Sequence, residues 1–179
     1  MQVRLCFPEV DAVLEPFATA LQNDFLGYRN HIHRVLNHCL ALAGEGAELP
    51  RAVLLAAPFH DLGIWTAKTF DYLEPSVALA MAHLQRLGLE HEGPQVRAVI
   101  TQHHKLRPYR GPFANTVELY RRADWVDVSL GVLRFGLPRE HLRAVRAAFP
   151  DAGFHWCLAT LTARQFLRTP LNPLPMLRW

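Results

Sequence analysis

Proline and glycine cut this sequence into helix-length segments, and none of them sustains the apolar–polar alternation of period two that marks a strand. Val10, Val13, Leu14, Phe17 and Leu21 fall on one helical stripe, which Pro16 should kink or split. A longer helix is predicted from about 27 to 43, stopped by Gly44–Glu45–Gly46. Pro50 opens a third helix, apolar all round and therefore central, whose end Pro58 and Gly63 bracket. Pro75–Ser76 and Gly88 bound a fourth, and Gly93–Pro94 starts a fifth. A loop at 105–112 precedes a sixth helix from about 116 to 130, and segments 138–149 and 154–167 supply two more. The expectation is an all-α bundle of about seven to eight helices in one domain covering 1–179. Its C-terminal helices span 138–168, and an extended surface tail covers 169–179.

At 179 residues, half of them apolar, the chain can bury a sizeable core. No apolar run approaches the roughly 18–20 residues that cross a bilayer, and the N-terminus carries acids too early for a signal peptide. Cys6, Cys39 and Cys157 are odd in number and far apart, so a disulfide framework is not expected and a reducing cytoplasm is. The formal charge of +3 reads first as a mildly basic surface and second as an attraction for an anionic substrate, and no basic block points to duplex nucleic acid. A monomer and a homo-oligomer both remain open. Ten histidines are the compositional oddity.

Several of those histidines fall where a metal site would need them. His60 and Asp61 emerge together at the end of a buried helix, in a Pro-x-His-Asp-x-Gly corner that can turn both toward one point. On the second helix Val35, Cys39 and Leu42 mark the buried face; His31 lies one turn before Val35, while His33 falls nearly opposite and should be solvated. His38 reads as a satisfied core histidine. On the sixth helix Asp124 aligns with Val117, Tyr120 and Val128, where an unpaired carboxylate would be costly. Either a metal or a salt bridge to Arg121 or Arg122 would satisfy it. Asp127, one turn on, is placed to support a ligand from behind. Two imidazoles and two carboxylates suit Mn, Fe, Co, Ni, Zn or Mg, without a thiolate to choose among them.

The series YRNHIHRV (28–35), AAPFHDLGIWT (56–66), VITQHHK (99–105) and RRADWVD (121–127) resembles the H…HD…D motifs of the HD-domain superfamily of metal-dependent phosphohydrolases. FDYLEPSVALAMAHL (70–84) resembles the helix that follows the HD corner in many members. The resemblance covers about residues 25 to 135 and places the family's metal ligands on His31, His60, Asp61 and Asp124. Some members hold a second ion through additional histidines, for which the candidates here are His83, His103 and His104. His103 lies on the Val96/Val99/Ile100 face and His104 on its flank, whereas His83 sits at the border of an apolar stripe. One tightly held divalent ion is expected, with a second site open.

The resemblance implies hydrolysis of a phosphate ester of a small molecule such as a nucleotide. Asp61 would ligate metal and orient water, and His103 or His104 would act as general acid. Arg34, Lys105, Arg107 and Arg110 are candidates to bind phosphate, although loop cations are often only solvated. Trp65, Phe70, Tyr72 and Tyr109 could wall a pocket or simply pack in the core. Two rival readings use the same scaffold. One is a di-iron oxygenase acting on a phosphonate or polyol; the other is a non-catalytic domain that senses a nucleotide or a metal.

Overall fold

A computed structural model describes residues 2–171 and 174–177. The described residues contain ten α-helical segments, eight of them six residues or longer, and no strand. In chain order these are α1 (Pro8–Leu14), α2 (Ala18–Leu21), α3 (Phe25–Ala43), α4 (Arg51–Ala56), α5 (Gly63–Thr66), α6 (Leu73–Leu87), α7 (Gly93–Gln102), α8 (Ala114–Val128), α9 (Arg139–Ala148) and α10 (Phe154–Arg168). A short 3₁₀ turn, Glu15–Phe17, breaks the first stripe where Pro16 interrupts it, and a second, Gln22–Asp24, follows the stripe's end. The all-helical expectation and most helix boundaries hold to within two or three residues.

The arrangement is built around α3, which packs along α8, with α9 and α10 against it. A second layer pairs α6 with α7, and α4 fills the space between α7 and α8. Residues 30–39 of α3 are buried without interruption. Surrounded in this way, this stretch of α3 has no solvated face, and that overturns one expectation. His33 is fully buried: its Nε2 lies 2.8 Å from Asp11 Oδ1 and its ring meets Phe7 edge-on at 5.3 Å. The N-terminal segment covers the side of α3 that apolar spacing had assigned to water.

The corner after α4 is tied by tight backbone turns, with Phe59 N–H on Ala56 C=O, Leu62 N–H on Phe59 C=O and Ile64 N–H on Asp61 C=O, each 3.0 Å. Tyr28 pins it from α3: its hydroxyl donates to Pro58 C=O and accepts from Asp61 N–H, both at 3.2 Å. Gly63 closes the corner because nothing larger fits. A methyl group there would stand 2.5 Å from Tyr72 C=O, where Gly63 N–H now meets Ser76 Oγ at 2.9 Å. The tail is not only a surface strap, since Met176 is buried against Ile64, Phe70, Tyr72 and Leu73. The rest of that expectation (Asn172, Pro173, Arg178 and Trp179) lies outside the described residues.

Candidate metal centre

Helices α3, α7 and α8 and the 58–62 corner converge on a buried knot of six side chains: His31, His60, Asp61, His103, His104 and Asp124. His31 Nε2 lies 3.0 Å from His60 Nε2 and 3.4 Å from Asp124 Oδ1. Asp61 Oδ2 is 3.2 Å from His60 Nε2 and 3.8 Å from His31 Nε2. On its other side, Asp61 Oδ1 is 3.3 Å from His103 Nε2 and 3.9 Å from His104 Nε2. Asp61 is thus shared by two donor groups, one with His31 and His60 and one with His103 and His104.

Three of the imidazoles are anchored through Nδ1. His31 Nδ1 donates to Asp127 Oδ2 at 2.7 Å, His60 Nδ1 to Ala57 C=O at 2.8 Å and His103 Nδ1 to Ile100 C=O at 2.7 Å. A proton held on Nδ1 leaves the Nε2 lone pair facing inward, as a metal-binding histidine requires. Two such lone pairs 3.0 Å apart repel unless a proton or a cation lies between them. Ligands about 2.1 Å from one ion and at roughly 90–109° to each other are separated by about 3.0–3.4 Å. Meanwhile Asp61 Oδ1, both Asp124 oxygens and His103 Nε2 are buried without any hydrogen-bond partner. A cation among these atoms would satisfy them. The donor set fits a divalent ion.

The electrostatics agree. Burial alone would raise Asp61, but the charge of His60 and the contacts of His103 and His60 hold it well below the usual carboxylate range. Asp124 is likewise held down against its burial, by His31 first and then by His103 and His104. Burial would lower His31, yet Asp124 and Asp127 push it up to about 9, so without a metal its Nε2 carries a proton that a bound ion would displace. Both carboxylates are therefore ionised in a water-poor pocket. Burial, reinforced by the charge of His103, lowers His104 to about 3, so this ring is neutral.

Other expected residues are distributed unevenly. Asp127 stands behind His31, holding its Nδ1. Asp124 does not pair with Arg121 or Arg122, which both hold Glu118. Arg34 has to be withdrawn from phosphate binding. It is fully buried, with Nε and Nη2 clamping Asp127 at 2.6 and 2.8 Å and Nη1 donating to Phe149 and Pro150 carbonyls. His83 must be withdrawn from the second donor group, because its ring packs on Phe59 at 5.3 Å and its Nδ1 lies 3.4 Å from Arg86. His38 is buried on His141 at 3.2 Å, away from the knot. Lys105 is half-buried, and Arg107 and Arg110 are exposed, on the loop that leaves His104.

Tyr72 is closer to the chemistry than its expected place in a pocket wall, with its hydroxyl 2.5 Å from His104 Nε2. Trp65 and Phe70 line a separate cleft beside α10, and Tyr109 packs against the core. Phe154, at the start of α10, stacks on the His31 ring at 4.1 Å and 14°. Nothing in its local sequence distinguishes it from any other aromatic residue at a helix start. Of the six clustered side chains, His104 reaches solvent most, at 11 % against 0–3 % for the others for which ion pairs place them beside it. No protein-family model, no curated protein and no solved structure matches this chain.

Proposed function

We propose that this chain is a metal-dependent hydrolase of phosphate esters, of the HD type that its motif series resembles. The observation that carries the reading is the pair of donor groups sharing Asp61, with inward-facing imidazoles and carboxylate oxygens that have no other partner. A divalent ion in such a set supplies Lewis acidity and a water acidified toward neutral pH. His31, His60, Asp61 and Asp124 would hold it, and Asp61, His103 and His104 offer a second position. The chain's own residues do the rest. The Nδ1 anchors fix the rings, and Tyr28 holds the backbone of Asp61 in place. His104, neutral in the free chain and the most solvent-exposed of these rings, stands beside the Tyr72 hydroxyl where a leaving oxygen would lie, and the negative charge of a bound phosphate would raise it toward the protonated form that a general acid needs. Lys105, Arg107 and Arg110 follow directly and give that side a positive rim suited to phosphate.

A second reading draws on the same shared carboxylate. Two adjacent donor groups also suit a di-iron oxygenase acting on a phosphonate or polyol, and the metal itself separates the two. Elemental analysis of protein purified without chelator, for wild type and Asp61→Ala, comes first. It is followed by phosphate release from a panel of mono-, di- and triphosphate esters with each metal added. One or two equivalents of Mn, Co, Ni, Zn or Fe, lost in the variant, with metal-dependent release of phosphate, is the expected result. Two equivalents of iron with oxygen consumption on phosphonates would replace it with the oxygenase. Bound metal without turnover on any of these substrates would leave a sensing domain.

A further inference from the structure

Away from the metal centre, a cleft of about 900 Å³ lies between the turn at 20–24, the segment joining α5 to α6, and α10. Trp156, Thr160, Arg164 and Arg168 recur every four residues along α10, so they form one stripe, and all four line the cleft. Lys68 faces them from the other wall, and Trp65 and Phe70 line the same cleft. The cleft therefore holds three cations against a single carboxylate, Asp24, which is already engaged by Trp65 Nε1 at 2.9 Å and faces Cys157 Sγ at 3.6 Å.

None of the three cations has an ion-pair or hydrogen-bond partner among the described residues. Arg164 and Arg168 stand at i and i+4, where like charges repel. Arg168 has a local reason to be there, since a cation in the last turn complements the helix dipole. Arg164, a turn earlier, and Lys68, across the cleft, have none. Solvation could account for the charges, but it does not account for Trp156, whose indole is 78 % exposed in the same cleft. Paired guanidinium groups suit phosphate oxygens, and an uncovered indole suits a flat ring. The volume lies within the range of small-molecule pockets.

The cleft is not an arm of the metal centre. The Trp65 ring packs on Tyr28 at 4.8 Å, and Tyr28 packs on His60 at 5.8 Å, so two layers of rings separate it from the donor atoms. We propose that this cleft is a second site, binding a nucleoside phosphate with its phosphates on Arg164, Arg168 and Lys68 and its base against Trp156.

The test is calorimetric titration of EDTA-treated full-length protein with ADP, inorganic pyrophosphate and adenosine. The proteins are wild type, Arg164→Ala/Arg168→Ala and Trp156→Ala, all at exposed positions, with folding checked by circular dichroism. Wild type should bind ADP saturably with Kd below about 1 mM. The double-arginine variant should weaken both ADP and pyrophosphate by at least about tenfold, while Trp156→Ala should weaken ADP and leave pyrophosphate unchanged. No binding of ADP to the metal-free wild type, or binding indifferent to the arginines, overturns the site. ADP and pyrophosphate binding alike, with Trp156→Ala silent, would overturn the nucleoside and leave only an anion. Because metal is absent throughout, failure here would leave the hydrolase reading untouched.

Discussion

Arg34, Asp127 and His31 form a chain of buried contacts in which two roles can be separated experimentally. Asp127 accepts from Arg34 at 2.6 and 2.8 Å and from His31 Nδ1 at 2.7 Å, and all three side chains are at most about 1 % exposed. Removing the guanidinium in Arg34→Met strands a buried carboxylate, which costs about 3–5 kcal/mol. For a domain of this length that corresponds to a Tm lowered by roughly 6–20 °C. Asp127→Asn should cost a similar amount, because it strands the guanidinium instead. It should also lower metal affinity about 10–100-fold, since His31 loses the carboxylate that fixes its ring. The double variant is the decisive one. Neither charge is then stranded, so stability should return to within about 2 kcal/mol of wild type. Metal affinity should stay low. Urea denaturation of the metal-free proteins reads the first quantity, and competition with a chromogenic chelator reads the second. A double variant as unstable as the sum of the single ones, or one that binds metal like wild type, would refute the division of roles.

His83→Ala should leave metal content and turnover unchanged, whereas His103→Ala should remove any second equivalent; elemental analysis of both variants decides. Phe154→Ala deletes a buried ring stacked on His31 and should cost about 3–5 kcal/mol in urea unfolding, with Phe154→Leu recovering most of it. Lys105→Ala should raise KM or lower kcat on a phosphate substrate, and an unchanged kcat/KM removes Lys105 from the site. Burial lowers His38 to about 3, with its neighbour His141 also lowered, so the unfolded chain takes up protons that the folded one refuses. Stability is intact above about pH 6.5 and falls below it, by about 2 kcal/mol between pH 7.5 and 5.0 from His38 alone. His33 and His104, also lowered, act in the same direction. His31, raised to about 9, instead stabilises the metal-free fold at low pH and loses that contribution as the pH climbs toward 9. The difference between wild type and His38→Gln in the pH dependence of the urea midpoint isolates His38, and parallel curves would refute its share.

The bundle was legible because its punctuation is local. Pro16 breaks a stripe, Gly88 ends α6 in a left-handed conformation, and Gly63 marks a close approach, each acting within a few residues. The donor residues were legible for a related reason: a histidine or carboxylate in phase with an apolar stripe must be satisfied inside the fold. His31 and Asp124 obey that rule, and His60 and Asp61 were marked instead by the corner that follows α4. Helical phase gives a direction from the axis, but it does not say what waits there. His33 points away from the Val35/Cys39/Leu42 stripe and still enters the interior, because Phe7 and Asp11 return to cover it.

Arg34 shows the same limit with larger consequences for function. A cation three residues beyond His31 on the same helix is, from sequence, equally suited to phosphate and to a carboxylate. Asp127 lies 93 positions away and captures it in a fork that leaves no oxygen-binding face free. That capture is what a buried ligand needs. His31 can present Nε2 to the centre only while Nδ1 is held, and Asp127 can hold it firmly only while its own charge is neutralised. The site's positive charge is therefore divided between two tasks. Arg34 supports His31 from inside the core through Asp127, and on the hydrolase reading proposed above phosphate would fall to the cations of the loop that begins at Lys105.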